Sequence, residues 1–539
     1  MSIISRKEWL ILSAIVLIAI FFRFYQLDTT PPGLWPDEAA NGVDALKALD
    51  SGEFRIFYPD NNGREGLFIN LQAVSIWLFG AEPWALRLVS AIFGVLTVIG
   101  LYFLTRYIFS WQMAAVASFF LAISFWHVNF SRIGFRAIML PFVLVWVFYF
   151  IWRGLKKGEL KEFFIAGVIG GLGFYTYFSF RIVPLIVLVI FWNYWSYLKK
   201  DFIHAKYEYT RNQLLRGFAL LILTVIIIAL PLLVYFYSHP GDFLKREGRP
   251  ISVLAQEEPL KELAVSVVRT LGMFNFSGDY NQRHNIPGWP QLSLPIGLLF
   301  AVGFLKELGH WLRRKHGHFS TIHTFLFSWF FVMLIPGFLS AEAPHALRTI
   351  GVIPVVMIFA AKGFMWVMNL ITGLYRQTDP YFFTDKLIHK KELRFLVIVT
   401  LVVFMTSLGF LEYTRYFRTW AKDPNIQGAF SQKLVDIADY LNQDEYDVPK
   451  YLLINEGDVM VDGVPNNAQT IRFLTQTHSH ECSAQKNIYY LRNDQLQTNQ
   501  FPARYSIIPL ADNPELRKQF QSRLGLFPIE KNSFVIYSK

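Results

Sequence analysis

Apolar runs long enough to cross a membrane recur along most of this 539-residue chain. A helix needs about 20 apolar residues to span the hydrocarbon of a bilayer. The chain is 53% hydrophobic and 17% aromatic, with a mean hydropathy of +0.32, which is above the range of ordinary soluble domains. The sequence therefore predicts a mainly α, polytopic membrane protein. We expect about eleven transmembrane helices by the length criterion, at Trp9–Phe24, Trp84–Leu104, Met113–Trp126, Ile138–Trp152, Phe163–Phe178, Ile182–Leu198, Leu214–Tyr237, Leu292–Leu305, His323–Leu339, Ile350–Leu370 and Phe395–Leu411.

Lys and Arg clusters give the expected orientation. With eleven spans, the basic clusters fall on one side; they include Arg6, Arg106, Lys156, Lys199, Arg313 and Arg376. The positive-inside rule makes that side the cytoplasm. The sequence thus predicts a multi-pass protein of the cytoplasmic membrane with a cytoplasmic N-terminus and an extracytoplasmic C-terminal segment.

The composition turns soluble after the last apolar run. We predict a transmembrane domain over residues 1–412 and a small extracytoplasmic α/β domain over residues 413–539, because helical and strand-like stretches alternate there. The expected strands are Lys450–Ile454, Asn487–Leu491, Arg504–Pro509 and Ser533–Tyr537. The net charge of +11 comes from dispersed basic residues, so we expect no nucleic-acid partner. A single cysteine, Cys482, excludes an intrachain disulfide.

An adjacent acidic pair follows the first apolar run, in the stretch Pro31-Pro32-Gly33-Leu34-Trp35-Pro36-Asp37-Glu38. One interpretation is that Asp37 caps a helix over Glu38–Leu49, since Asp is a favoured N-cap residue. The other is that Asp37 is a general base at the membrane surface, facing a polar substrate that approaches from water. We expect Glu38–Leu49 and Leu67–Phe79 to form interfacial helices in this first outer loop.

Arginines occur where short outer loops should have few. Arginine binds phosphate oxygens through its planar fork, so we expect an anion pocket for a phosphate or diphosphate leaving group. For any one of them the alternative is an arginine that snorkels to lipid phosphate or caps a helix C-terminus. Glu65 is an alternative ion-pair partner for Arg64. The candidate phosphate-binding residues are Arg64, Arg132, Arg136, Arg181 and Arg348.

Two polar patches add candidate substrate-binding residues. One contains Asp279 and His284, and the other contains His345. Glu65 is a further candidate. Their alternative role is turn formation, for which Asn, Asp, Gly and Pro are suited. A divalent metal held by Asp37, His284 and His345 is chemically conceivable, but no local ligand spacing supports it, so we expect no cofactor and no metal to be required.

The acidic pair after one helix, the interfacial helices, the many spans and the soluble outer C-terminal segment together resemble the C-type membrane glycosyltransferases. Within them the layout is similar to the bacterial relatives of protein O-mannosyltransferases and of the lipid A aminoarabinose transferase. The resemblance covers about Trp9 to Leu411 in layout.

The resemblance implies an inverting glycosyltransferase that moves a sugar from a polyprenyl-phosphate donor to an acceptor hydroxyl at the outer membrane face. It implies that Asp37 is the general base, that Glu38 is the adjacent acid and that Arg64 lies near the donor phosphate. Many relatives have another acidic residue in the loop after the third span, whereas Ser131–Ala137 has none here. This difference disfavours a two-carboxylate or metal-dependent mechanism.

Two other functions remain open at this point. A transporter or flippase of lipid-linked glycans would show internal repeats or intramembrane charges near the midplane. A polymerase or ligase of such glycans would also use outward arginines, but it would depend less on an acidic pair after the first span.

Overall fold

The computed structural model describes residues 4–200, 211–244, 252–313, 318–371, 391–443, 447–457, 459–496 and 498–539. The protein is mainly helical. Its α-helices, numbered in chain order, are α1 (Arg6–Phe24), α2 (Pro36–Ser51), α3 (Gly66–Phe79), α4 (Pro83–Ile108), α5 (Trp111–Ile123), α6 (Phe125–Ser131), α7 (Met139–Lys157), α8 (Leu160–Gly173), α9 (Val183–Lys200), α10 (Arg211–Ser238), α11 (Pro240–Leu244), α12 (Pro259–Gly272), α13 (Leu294–Arg313), α14 (His318–Phe338), α15 (Ile353–Ile371), α16 (Lys391–Tyr413), α17 (Asn425–Ala429), α18 (Gln432–Gln443), α19 (Gln469–Leu474), α20 (His480–Gln485) and α21 (Pro514–Gln519).

The strands are short. They are β1 (Phe57–Tyr58), β2 (Arg64–Glu65), β3 (Lys450–Ile454), β4 (Met460–Val461), β5 (Val464–Pro465), β6 (Ile488–Arg492), β7 (Ser506–Pro509), β8 (Phe527–Glu530) and β9 (Val535–Ser538).

Seven stretches of helix in the described part of the chain are long and apolar enough to cross a membrane: Pro83–Ile108, Arg136–Lys157, Phe178–Ser196, Arg211–Ser238, Thr321–Phe338, Ile350–Ile371 and Val397–Trp420. The pair α5 and α6, bent by 59°, makes eight if it is one span. The other three predicted spans overlap α1, α8 and α13, which are helical but lie outside this set. A multi-pass membrane protein is confirmed, whereas the count of eleven stays a prediction.

The chain divides into two compact units. The first comprises Met1–Tyr25, Ser90–Ser238 and Glu247–Lys422, and the second comprises Gln26–Val89, His239–Arg246 and Asp423–Lys539. The predicted division at residues 412 and 413 therefore differs from the compact units, because the acidic loop and its helices group with the C-terminal residues.

The first unit packs its helices closely through small residues. On α13 and α15, a Cβ added at Gly303 would lie 1.9 Å from the Phe359 carbonyl oxygen, and one added at Gly363 would lie 1.9 Å from that of Leu299. Glycine at both positions lets the two backbones approach. Small residues at helix interfaces are typical of membrane proteins, where close backbone packing replaces the hydrophobic driving force.

The second unit contains a five-stranded sheet in the order β6-β3-β7-β9-β8. Strand β3 pairs in parallel with β6 and β7, whereas β9 is antiparallel to both of its neighbours. Alternate residues of β3 enter two different cores, with Leu452 and Ile454 in one and Tyr451 and Leu453 in the other. Both faces of the sheet are therefore covered. The strands predicted from the sequence at β3, β6, β7 and β9 are present, and β8 was not predicted.

A third core in this unit joins residues that are far apart in the chain. Leu34, Val43 and Leu86 from the N-terminal part pack with Phe473 of α19. The hydroxyl of Thr470, also on α19, donates to the Leu34 carbonyl oxygen at 2.9 Å. Helix α19 is thus fixed beside α2, the helix that carries the acidic pair.

Candidate active site

Asp37 lies at the second residue of α2, and Trp35 is the N-cap residue. The interpretation that Asp37 caps the helix is therefore wrong. Pro36 is the first helical residue, a position that proline favours because its missing N–H has no intrahelical acceptor there. The half-buried Asp37 carboxylate instead accepts two hydrogen bonds on Oδ1, from Asn61 Nδ2 and from Asn466 Nδ2, each at 2.9 Å.

The other carboxylate oxygen of Asp37, Oδ2, has no hydrogen-bond partner among the described residues. Two amides on Oδ1 fix the plane of the carboxylate and leave Oδ2 able to accept a proton. A positioned carboxylate with one unengaged oxygen is the arrangement that a general base needs.

The two asparagines come from different parts of the unit. Asn61 lies in the turn of the hairpin in which Tyr58 of β1 is opposite Arg64 of β2. It has a positive φ of 49°, a conformation that asparagine tolerates better than most residues. Asn466 directly follows β5 and precedes α19, and its backbone N–H donates to the Val459 carbonyl oxygen at 2.7 Å.

Glu38 is fully buried and forms an ion pair with Arg87 of α4, with 3.1 Å between Oε2 and Nε. The two terminal nitrogens of Arg87 donate to the carbonyl oxygens of Pro31 and Gly33, each at 2.7 Å. The pair thus connects α2 to the loop that precedes it. These contacts favour a structural role for Glu38, and its catalytic role stays a prediction.

Arg64 is buried and faces α2, but it contacts residues beyond Asp37. Its Nη1 donates to Asn41 Oδ1 at 2.8 Å, and its Nη2 forms a short ion pair with Asp44. These residues lie one and two turns along the helix from Asp37. Its ion-pair partner is therefore Asp44, and the alternative pairing with Glu65 is wrong. Glu65 is itself fully buried, at the N-cap of α3.

Asp279, His284 and His345 come together in the first unit, whereas Glu65 belongs to the second. The substrate-binding role of all four stays a prediction. Asp279 Oδ2 lies 2.9 Å from His284 Nδ1 and 3.7 Å from His345 Nδ1, and it accepts the Ala346 backbone N–H at 2.8 Å. All three side chains are buried. Arg348 reaches the same group through Glu342, which lies 3.5 Å from Arg348 and 3.6 Å from His345.

Burial and charge shape the ionisation of this cluster. Burial lowers the pKa of His345 to about 3, and the nearby His284 acts in the same direction. For Asp279 burial opposes ionisation, but the hydrogen bond and charge of His284 outweigh it and hold the pKa of the carboxyl below its ordinary value. The cluster thus favours an ionised Asp279 and a neutral His345 near pH 7.

The remaining candidate arginines have different surroundings. Arg132 is fully buried, donates to the Phe22 carbonyl oxygen at 3.1 Å and lies over the Tyr416 and Phe417 rings. Snorkelling is therefore wrong for Arg132. The other alternative, a helix C-terminal cap, agrees with this contact, because Phe22 lies in the last turn of α1. Arg136 begins a 3-10 turn before α7, and Arg181 lies over the Phe236 ring. These contacts do not define one phosphate pocket, and the assignment of all five arginines to the donor stays a prediction.

Two groups of side chains in the described part of the chain bring possible metal ligands within 4.8 Å of one another. They are Asp279 with His284 and His345, and Asp50 with His478 and Cys482. Carboxylate, imidazole and thiolate are all ligands of divalent transition metals. Asp37 belongs to neither group. The absence of a metal requirement stays a prediction.

Asn61, Asn466 and Arg87 are the site residues that sequence reasoning missed. Arg87 had a usable signal, since a charge inside an apolar run needs a buried partner. Asn61 precedes Asn62 and Gly63, a run that predicts only a turn. Asn466 had no local signal, because an asparagine after a short strand is ordinary turn chemistry.

With this geometry established, comparison with known proteins places the fold. A family model described as dolichyl-phosphate-mannose-protein mannosyltransferase matches residues 67–210. A crystal structure of ArnT from Cupriavidus metallidurans bound to undecaprenyl phosphate superposes with a TM-score of 0.56 at 14% identity. That match covers 99% of this chain and 98% of ArnT. The chain has the fold of ArnT over nearly its whole length. The resemblance of layout predicted from the sequence is therefore confirmed.

Two further proteins are similar to this chain. The Archaeoglobus fulgidus oligosaccharyltransferase, tethered to an acceptor peptide, superposes with a TM-score of 0.51 at 14% identity over 98% of this chain and 74% of its own. The curated protein YkcB of Bacillus subtilis (strain 168) is 23% identical over 210 residues. That match spans 37% of this chain and 28% of YkcB.

Proposed function

We propose that this protein is an inverting glycosyltransferase that moves a sugar from a polyprenyl-phosphate donor to an acceptor hydroxyl. The observation that carries the proposal is the Asp37 carboxylate, held on Oδ1 by two amides and unengaged on Oδ2. Relatives support the donor class: the matching family is described by its dolichyl-phosphate-mannose donor, and the ArnT structure holds undecaprenyl phosphate.

In the proposed reaction Asp37 Oδ2 takes the proton of the acceptor hydroxyl. The acceptor oxygen then attacks the anomeric carbon as the bond from that carbon to the phosphate oxygen breaks. The electron pair of that bond leaves with the lipid phosphate, and the proton later passes from Asp37 to water. A positioned carboxylate typically contributes about 10²- to 10⁴-fold to such a step.

The departing lipid phosphate needs cationic stabilisation. Arg132, Arg136, Arg181 and Arg348 are the proposed donor-binding residues of the first unit. The half-buried setting of Arg348, beside Glu342 and His345, favours it among them because its guanidinium is partly exposed and close to further polar side chains.

We also propose the number of spans and the location of the two ends of the chain. The distribution of Lys and Arg supports eleven spans, a cytoplasmic N-terminus and an extracytoplasmic C-terminal segment in the cytoplasmic membrane. The reaction would then occur at the outer face, with no nucleotide and no added cofactor, because a phosphate-linked sugar is already activated.

The test is donor consumption by purified protein in phosphatidylethanolamine and phosphatidylglycerol vesicles. The vesicles contain one member of a panel of radiolabelled undecaprenyl-phosphate hexoses and pentoses, and membrane extract supplies acceptors. We expect wild type to consume at least one donor, and Asp37→Asn to lose about 10²-fold or more in rate while still binding it. The matched control is Asp28→Asn, since Asp28 is exposed. Failure of wild type to consume any donor, or equal rates for wild type and Asp37→Asn, would overturn the proposal.

A further inference from the structure

Asn466 approaches Asp37 across 429 residues of sequence. Its side-chain nitrogen Nδ2 donates to Asp37 Oδ1 at 2.9 Å. Its side-chain oxygen Oδ1 is buried and has no hydrogen-bond partner in the described part of the chain. A buried amide oxygen without a partner is unfavourable. The hydrogen bond to Asp37 is therefore the favourable contact that the Asn466 side chain makes. A contribution to general fold stability is a poor explanation for an asparagine at this position.

The backbone at Asn466 is held without any help from its side chain. The N–H of Asn466 donates to the Val459 carbonyl oxygen at 2.7 Å. Just beyond it, Gln469 Nε2 donates to the Val461 carbonyl oxygen at 3.1 Å, and Thr470 donates to that of Leu34 at 2.9 Å. A substitution of the side chain thus leaves the β4-β5 hairpin and α19 anchored.

The neighbouring residue supplies a matched control. Asn467 is also half-buried and lies beside Gly457. A Cβ added at Gly457 would lie 3.1 Å from Asn467 Nδ2. Its amide has no hydrogen bond to Asp37 among the described residues. Asn466 and Asn467 therefore differ in their relation to Asp37 and share residue type and backbone setting.

We propose that Asn466 is a positioning residue for Asp37, so that the C-terminal segment of the chain completes the catalytic base. The inference rests on the proposed function. Asn61 holds the same carboxylate oxygen from the N-terminal hairpin, and Asn466 supplies the second amide, which prevents rotation of the carboxylate about the Asn61 contact. Loss of Asn466 leaves the base present but misoriented.

A double-mutant cycle tests this role in the vesicle assay. Asn466→Ala should lower kcat by about 10- to 100-fold, the range expected when a reacting group is misplaced, with little change in donor KM. Asn466→Gln keeps the amide and should restore part of the rate, whereas Asn467→Ala should match wild type. In the Asp37→Asn background, Asn466→Ala should add almost nothing, because the two residues act as one unit.

A second measurement does not depend on activity. The full-length protein in detergent is treated with a carbodiimide and glycine ethyl ester, and modification of Asp37 is quantified by mass spectrometry of its peptide. Asn466→Ala should raise the modification of Asp37 several-fold because the carboxylate loses an amide donor, and Asn467→Ala should leave it unchanged.

The outcomes separate the two proposals. If wild type consumes no donor but Asn466→Ala raises Asp37 modification, the proposed function fails and the positioning of Asp37 by Asn466 stands. If wild type is active and Asn466→Ala matches Asn467→Ala in kcat and in Asp37 modification, the positioning role is wrong and the proposed function stands. Full additivity of the two substitutions would also overturn the positioning role.

Discussion

Arg87 and Glu38 form an ion pair with both side chains fully buried, 3.1 Å between Nε and Oε2. The same guanidinium donates to two carbonyl oxygens of the loop before α2. Glu38 is adjacent to Asp37, so the pair fixes the backbone that presents the proposed base. The two carboxylates therefore have different surroundings: Glu38 is buried in an ion pair, whereas Asp37 is half-buried and has one unengaged oxygen.

Removal of one partner of this pair should destabilise the second unit. We expect Arg87→Met to cost about 3–5 kcal/mol in free energy of unfolding, because it leaves the Glu38 carboxylate buried without its cation. The measurement is the thermal unfolding midpoint in detergent. As control, Lys261→Met removes the exposed pair with Glu258 and should cost less than about 1 kcal/mol. Equal midpoints for the two variants would show that the buried pair stabilises the fold no more than the exposed pair does.

Arg64 offers a test that separates structure from donor binding. Arg64→Met should destabilise the protein by about 3–5 kcal/mol, because Asp44 loses its buried partner. Arg64→Met with Asp44→Leu removes both charges and should recover much of that loss. The exposed pair of Arg55 and Glu53 supplies the control variant Arg55→Met.

Donor affinity of the double variant then decides the role of Arg64. Recovered stability with near-normal binding of the donor in vesicles indicates a structural arginine, which its contacts favour. Recovered stability with donor binding still lost would instead establish the predicted phosphate contact.

Gly42 should resist enlargement even though it lies within a helix. A Cβ there would lie 2.5 Å from Phe473 Cδ2 and 3.1 Å from Leu86 Cδ1. Glycine to alanine normally stabilises a helix by about 1 kcal/mol, but overpacking of this kind costs about 1–3 kcal/mol. Gly42→Ala should therefore lower the unfolding midpoint and the transfer rate. Gly428→Ala in α17, where the described residues leave space within 4 Å, should be neutral or stabilising. A stabilised Gly42→Ala variant would contradict the close packing of α2 on α19.

These contacts show which parts of the architecture are local in origin. Apolar runs and alternating strand patterns depend only on residues close together in the chain. The helices and the strands β3, β6, β7 and β9 were therefore predictable. The start of α2 was mispredicted because Asp37 has a high propensity for the N-cap position. Pro36 gave the opposite local signal, since proline favours the first helical position. The Asn466 contact depends on packing between α2 and α19, and no local pattern records such a pairing.

The division into compact units was unpredictable for the same reason. The alternating pattern of the C-terminal residues predicts a separate α/β domain. Phe473, however, belongs to the core that contains Leu34 and Val43. Which core buries an aromatic side chain is decided by tertiary packing. The hydrophobic pattern around residue 473 is the same whichever core contains Phe473.

Stability should fall in acid through Asp279 and His345. The pKa of His345 is about 3 in the folded protein against an ordinary value of 6.5, so the unfolded chain binds a proton first as the pH falls. Its contribution is present above about pH 6.5 and is lost as the pH falls toward 3, at about 1.4 kcal/mol for each pKa unit. The depressed pKa of Asp279 acts in the same direction below its ordinary value of 3.8.

The slope of the unfolding midpoint against pH measures this effect between pH 7 and pH 4. His345→Gln removes the titrating group, so its slope should be shallower than that of wild type whatever its absolute stability. Because Asp279, His284, Arg283 and Arg348 also face this group, part of the acid sensitivity should remain. His480 is exposed, and His480→Gln should keep the wild-type slope. Parallel slopes for wild type and His345→Gln would mean that the imidazole is not held neutral by burial.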